Sequence, residues 1–172
     1  MKRHLVLVGL PGAGKSTVGG KVAEELGTDF VDLDARIERR SGMSVAKLIN
    51  ELGEARFRQM EAEAMHEALA EPASVISPGG GWAAQPGALE EARARSLIIY
   101  LKSMVTTAVN RLGAIETRPL MVAQDPVERM RSLLEEREPF YAQADHIIKT
   151  DRTTVEEVVT EVLGVARQKA GW

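Results

Sequence analysis

The sequence contains no cysteine, which removes disulfides, thiolate metal sites and cysteine nucleophiles at once and fits a reducing compartment. It also lacks a basic excess. Lys and Arg number 22 against 25 Asp and Glu, a net charge of −3, so non-specific nucleic-acid binding, which runs on surplus cations, is not expected. No stretch approaches the ~20 apolar residues of a membrane span. Met1-Lys2-Arg3-His4 leads only into a short aliphatic run at 5–8, less than a secretory signal needs. These absences predict a soluble cytoplasmic protein with neither nucleic-acid nor membrane partners. Internal repeats, low-complexity tracts and interdomain linkers are missing too. A chain of 172 residues holds one full-sized core rather than two, so residues 1–172 are read as a single domain.

What is present alternates between short aliphatic runs and helical periods. Leu5, Val6, Leu7 and Val8 form a continuous run, the pattern of a strand buried on both faces of a parallel sheet. A helix follows with Val18, Val22 and Leu26 on one face and Gly27 closing it. Phe30 and Val31 predict a second strand that ends in Asp32 and Asp34. Residues 35–52 read as two short helices parted near Ser41 and Gly42, with Ser44 capping the second. From Glu54 a longer helix lines up Phe57, Met60, Ala64, Ala68 and Leu69. Further strands are predicted at Val75-Ile76, at 97–101 and at 146–148, with helices near 89–94, over 104–112 and from Pro126. Residues 113–125 have no period, as in a lid or a disordered segment. Thr153 and Glu156 predict a capping box for a last helix whose apolar face is Val155, Val158, Val159, Val162 and Leu163. Strands alternating with helices define the α/β class, with a central parallel sheet between helices.

The sharpest signal is Gly9-Leu10-Pro11-Gly12-Ala13-Gly14-Lys15-Ser16, which satisfies G-x-x-x-x-G-K-[ST] between the first strand and the first helix. Its glycines let successive backbone N–H groups converge on phosphate oxygens, and the helix turns its positive end towards the same place. Lys15 supplies a mobile charge for the β- and γ-phosphates, and the Ser16 hydroxyl can ligate Mg²⁺. The dinucleotide fingerprint G-x-G-x-x-G fails at Thr17.

Asp32 and Asp34, two apart at a strand end, are expected to share one face. Asp32 then becomes an inner- or outer-shell Mg²⁺ partner, and Asp34 binds and orients a hydroxyl. Alternatively, the pair is a solvated strand end. Gly79, Gly80 and Gly81 are either a tight turn or a place where backbone approaches a small substrate closely. Arg58, Arg118 and Arg137 stand out by neighbourhood, Arg118 in the expected lid and Arg137 before Pro139 and Tyr141. Guanidinium groups suit a substrate carboxylate, although most arginines on a chain are surface groups.

In register, these segments resemble the shikimate kinase family. Gly-x-Pro-Gly-x-Gly-Lys-Ser-Thr stands at 9–17, Asp-x-Asp at 32–34, and Gly-Glu-x-x-Phe-Arg-x-x-Glu at 53–61. The triple glycine stands at 79–81, Arg-Pro-Leu at 118–120 and Arg-x-Pro-x-Tyr at 137–141. The resemblance implies a three-layer α/β/α sandwich of P-loop kinase type with a central five-stranded parallel sheet. It implies a substrate-binding helical region about 35–61 and a lid about 113–125.

It also implies ATP-dependent phosphorylation of the 3-hydroxyl of shikimate by a monomer, with Mg²⁺ as cofactor and ATP and shikimate as partners. The nucleotide would be held by Gly12, Ala13, Gly14, Lys15, Ser16, Thr17, Arg111, Arg118 and Arg152. The substrate would be held by Asp34, Arg58, Gly79, Gly80, Gly81 and Arg137. Lys15, Asp34 and Arg118 would be catalytic, and Ser16 and Asp32 would hold the metal. Two positions depart from the family pattern. Trp82 follows the glycines where a small residue is usual, and Val155 stands where some members place a proline against adenine. Rival readings are a gluconate or nucleoside-monophosphate kinase, and a nucleotide-binding module without catalysis. A GTPase is disfavoured by the lack of Asn-Lys-x-Asp and Asp-x-x-Gly.

Overall fold

The computed structural model describes residues 1–112 and 125–172. The lid expected at 113–125, apart from Asp125, and Arg118 within it lie outside the described residues. Five strands, β1 (His4–Val8), β2 (Phe30–Asp32), β3 (Val75–Ser77), β4 (Ser96–Lys102) and β5 (His146–Lys149), form one sheet in the order β2-β3-β1-β4-β5. Every pairing is parallel, with Leu5 of β1 opposite Val75 on one side and Leu97 on the other.

The central strand explains the layering. Side chains alternate along a strand, so β1 feeds two separate cores. Leu5 and Leu7 pack with Val18, Val22 and Ala23 of α1 (Lys15–Leu26) and with Val158, Val162 and Ala166 of α8 (Val155–Lys169). Val6 and Val8 face the opposite way, into a larger cluster. That cluster draws on α2 (Leu33–Ser41), α3 (Val45–Leu52), α4 (Glu54–Ala70), α5 (Ala88–Arg93), α6 (Val105–Leu112) and α7 (Pro126–Tyr141). The sheet is sandwiched between two helical layers, which is the three-layer α/β/α arrangement with five parallel strands. No helix among the described residues is long and apolar enough to cross a membrane.

Local chemistry sets most boundaries where the residue pattern put them. Gly27 closes α1 at φ 63°, with its N–H on the helix carbonyls. Gly42 closes α2 at φ 70°, and Ser44 caps α3 by accepting from Lys47 N. Three expectations need correction. β2 stops at Asp32, and Asp34 lies in the first turn of α2 rather than on a strand. The cause is Asp32 itself, whose Oδ1 accepts from Ala35 N at 3.1 Å and starts a helix at once. The cap of α8 is Thr154 with Glu157, one residue later than Thr153 with Glu156. Val155 therefore begins the helix and is exposed instead of joining its apolar face.

Candidate active site

The loops after β1, β2 and β3 open at the carboxyl edge of the sheet, where parallel α/β folds present ligand sites. After β1 the chain wraps into a glycine loop whose Gly12 and Gly14 have φ of 83° and 92°. A Cβ on Gly12 would lie 2.5 Å from the Ala108 carbonyl oxygen, so the loop also needs that position bare. Gly14 caps α1 without any side-chain acceptor, leaving the first N–H groups of the helix available to an anion. Lys15 Nζ donates to the Gly9 carbonyl at 2.6 Å and to that of Leu10 at 3.3 Å, folding the ammonium back over the loop. The Ser16 hydroxyl donates to Asp32 Oδ2 at 3.3 Å.

On one flank of this loop lies a cavity of about 340 Å³. Its walls include Ala13, Thr17, Arg111, Thr150, Thr154 and Val155. Arg111 is fixed there by donating to the Ala13 carbonyl at 3.3 Å and to the Thr150 carbonyl at 3.1 Å. Arg152 is exposed and does not line this cavity. The side chain of Val155, solvent-facing through the shift in the α8 cap, forms part of its wall.

On the other flank the three consecutive glycines meet a charged cluster drawn from three helices. A Cβ on Gly79 would lie 2.8 Å from Glu61 Oε2 and 3.0 Å from Asp34 Oδ1. One on Gly80 would lie 2.9 Å from an Arg137 Nη and 3.1 Å from Pro11 Cδ, and one on Gly81 would overlap the Arg58 guanidinium. At all three positions the space of a Cβ is taken by charged side-chain ends, those of Asp34, Arg58, Glu61 and Arg137, which any larger residue would displace. The Tyr141 hydroxyl donates to the Gly80 carbonyl. Burial pushes the Tyr141 phenol up to about 12 against the opposing pull of Arg137, so it is a donor throughout the working pH range.

Arg58 donates to Glu61 Oε1 at 2.8 Å and approaches Glu54 Oε1 at 3.4 Å. Glu61 is fully buried. Its pKa is raised to about 7, first by burial, against the pull of Arg58, with the Asp34 charge pushing further up. The sequence reading did not single out Glu61, although it closes the motif at 53–61. The available signal was positional: Glu61 falls between Phe57 and Ala64 on the buried stripe of α4, where an unpaired carboxylate has no ordinary place. Trp82, the bulky residue after the glycines, is 2% exposed and packed in the larger core behind the turn.

Fold and edge together define the class, a P-loop phosphotransferase acting on a small acceptor. The shikimate kinase family model matches residues 11–167. Shikimate kinase of Mycobacterium avium is 42% identical over 164 residues, covering 95% of this chain and 93% of that one. The enzyme of Caldanaerobacter subterraneus is 40% identical over 161 residues, covering 94% of both. The structure of Acinetobacter baumannii shikimate kinase in complex with shikimate superimposes with a TM-score of 0.92 at 31% identity, covering 98% of this chain and 94% of that one. This chain belongs to the shikimate kinase family.

Proposed function

We propose that the protein transfers the γ-phosphoryl group of ATP to the 3-hydroxyl of shikimate, giving ADP and shikimate 3-phosphate on the route to chorismate and the aromatic amino acids. The observation that carries this reading is the convergence of Arg58, Arg137 and Asp34 on glycines 79–81. Two guanidinium groups beside bare backbone suit a small acceptor bearing a carboxylate, and the adjoining carboxylate suits its hydroxyls. Gluconate also carries a carboxylate, so the acceptor panel below includes it.

In the proposed reaction the acceptor oxygen bonds to the γ-phosphorus as the bond to the β,γ-bridging oxygen breaks, and ADP departs with that electron pair. The α1 N-terminus and the loop N–H groups hold the β-phosphate. Lys15, released from the Gly9 carbonyl, neutralises charge on the transferring group. Asp34 orients the hydroxyl and is the carboxylate assigned to receive its proton. Arg58 and Arg137 clamp the acceptor carboxylate, fixing the line of attack. Arg118 is assigned to the γ-phosphoryl group on the family resemblance. Arg111, Thr150 and Val155 flank the nucleoside, with Arg152 nearby in sequence.

Ser16 and Asp32 offer a hydroxyl and a carboxylate side by side, a hard oxygen pair of the kind Mg²⁺ uses alongside nucleotide phosphates and water. Among the described residues no cluster of three or more His, Cys, Asp and Glu could hold a metal without such help. Held there with ATP, Mg²⁺ would supply neutralisation of phosphate charge. A monomer working in the cytoplasm is proposed on the family resemblance alone.

The test is ADP release from MgATP with shikimate, gluconate or a nucleoside monophosphate as acceptor. Turnover dependent on shikimate alone is the expected result. Turnover on another acceptor moves the reading to that kinase, and nucleotide binding without turnover leaves a non-catalytic module.

A further inference from the structure

Glu61 lies in the acceptor cluster with its carboxyl raised well above the ordinary range by burial, and the proposed chemistry leaves it without a task. Its Oε1 is held by Arg58 at 2.8 Å. Its Oε2 is buried with no hydrogen-bond partner and faces Gly79, beside the Asp34 carboxylate. A bare carboxylate oxygen in that position is strongly disfavoured, and a second carboxylate at the same glycine adds to the penalty. A proton on Oε2 removes both problems.

The charged groups that face Glu61 come from every side. Arg58 lies on its own helix, with Glu54 behind it. Asp34 approaches from α2 and Arg137 from α7, and both act on the Glu61 charge. The 3-10 turn Trp82–Ala84 contributes the Trp82 ring and no charge. Beyond that turn a second cavity, of about 210 Å³, is lined by Arg58, Glu61 and Trp82, with Glu91 of α5 on its wall. His66 sits 2.7 Å from Glu91. None of the lining residues belongs to the phosphate loop, so the cavity approaches Glu61, itself fully buried, from a side that does not pass the nucleotide.

Two of these groups hold the balance. Arg58 and Arg137 both favour the ionised form of Glu61, and both are the proposed clamp for the acceptor carboxylate. An incoming carboxylate shares those cations and brings its own negative charge. Both effects push the Glu61 proton on. We propose that Glu61 is a positioning residue that takes up a proton from solvent when the acceptor carboxylate binds, so that acceptor binding is proton-coupled. This rests on the shikimate reading, because it needs a carboxylate-bearing acceptor on Arg58 and Arg137. In the free enzyme the Glu61 carboxyl titrates at about 7. The uptake should therefore be largest on the alkaline side of neutrality and vanish in acid, where the proton is already present.

The experiment is calorimetric titration of the full chain with shikimate at about pH 8 in buffers of differing ionisation enthalpy. The slope of observed heat against buffer enthalpy gives the protons taken up. The expected result is an uptake of a substantial fraction of one proton, falling towards zero near pH 5.5. In Glu61→Gln, which is permanently neutral and keeps an N–H donor for Asp34, uptake should be absent. The KM for shikimate should then stay flat from about pH 6 to 8.5, while rising several-fold in the unsubstituted protein. Shikimate binding without proton uptake overturns the inference and leaves the function intact. Equal uptake in Glu61→Gln overturns it as well, because another group then carries the proton. If shikimate neither binds nor supports turnover, the functional reading falls and this inference falls with it. If the variant fails to fold, the pH dependence in the unsubstituted protein still tests the inference, because uptake that persists undiminished at about pH 5.5 overturns it.

Discussion

The two flanks of the phosphate loop solve opposite problems. On the nucleotide side the anion site is made of backbone: loop N–H groups and an uncapped helix end, with a single lysine laid over them. On the acceptor side it is made of side chains, four charged groups from α2, α4 and α7 pressed against three glycines. Backbone dipoles carry no net charge to desolvate and come with the loop conformation. Guanidinium and carboxylate groups taken partly or, for Glu61, wholly out of water do have to be desolvated, and they are tolerable only as a mutually satisfied set. The acceptor flank leaves Arg58 Nε and Glu61 Oε2 without partners, which is the mark of a set completed by something else.

That contrast can be broken most directly at Lys15, a side-chain charge on the nucleotide flank. Lys15→Ala should lower kcat by roughly 10²–10³-fold with little change in the shikimate KM, read by steady-state kinetics. An unchanged kcat would mean that the backbone suffices by itself. On the acceptor flank the opposite pattern is expected. Gly81→Ala puts a methyl into the Arg58 guanidinium and should raise the shikimate KM by roughly 10–100-fold, for a displaced charged hydrogen-bond partner, while the ATP KM stays put.

Glu61→Gln sharpens the comparison through stability. The folded carboxyl keeps its proton to about 7, against an ordinary value of 4.5, so the native state binds more protons between those values. Stability from this group is therefore fully present below about pH 4.5 and is lost as pH rises through 7. The difference of 7 − 4.5 = 2.5 units corresponds to at most about 3 kcal/mol. Denaturant melts at about pH 6 and 8 should show the decline in the unsubstituted chain and its absence in the variant.

Tyr141→Phe removes the bond to the Gly80 carbonyl. It should weaken shikimate binding and global stability by about 1–2 kcal/mol, without touching ATP affinity. The smallest effect belongs to Val155→Ala, at the exposed rim of the nucleotide cavity. Its ATP KM should shift by no more than about threefold, the scale of one or two methyl groups at a partly open wall.

The same contrast explains how much was legible in the residues. A backbone site is written in one contiguous stretch, so 9–17 could be read without the fold. Continuous aliphatic runs located the strands, and αL glycines such as Gly27 and Gly42 ended helices where expected. The acceptor cluster is assembled from positions far apart in the chain, and only the resemblance drew Asp34, Arg58 and Arg137 together. Asp34 was placed on a strand because alternation was extended two residues too far. The Asp32 cap, a local hydrogen bond, outcompeted the strand. Glu61 went unnoticed because a period count treats a glutamate in a helix as solvated surface. Its burial depends on Gly79, a residue eighteen positions away that belongs to another loop. The α8 cap slipped by one because Thr153 and Thr154 both precede a glutamate by three residues, and periodicity does not choose between them.

Arg137 and Tyr141 stand one turn apart on α7, and both meet Gly80: the hydroxyl donates to its carbonyl, while an Arg137 Nη stands where its Cβ would be. Helix and turn are thereby clasped into one piece, like the anvil of a vice. Sliding or rotating α7 carries Gly80 along and leaves the gap between them unchanged. Arg58 and Asp34 sit on other helices, α4 and α2. Adjustment of the gap to an acceptor of different girth is therefore expected from α2 and α4, the travelling side of the vice. Attempts to widen the acceptor range should begin with residues that seat those two helices.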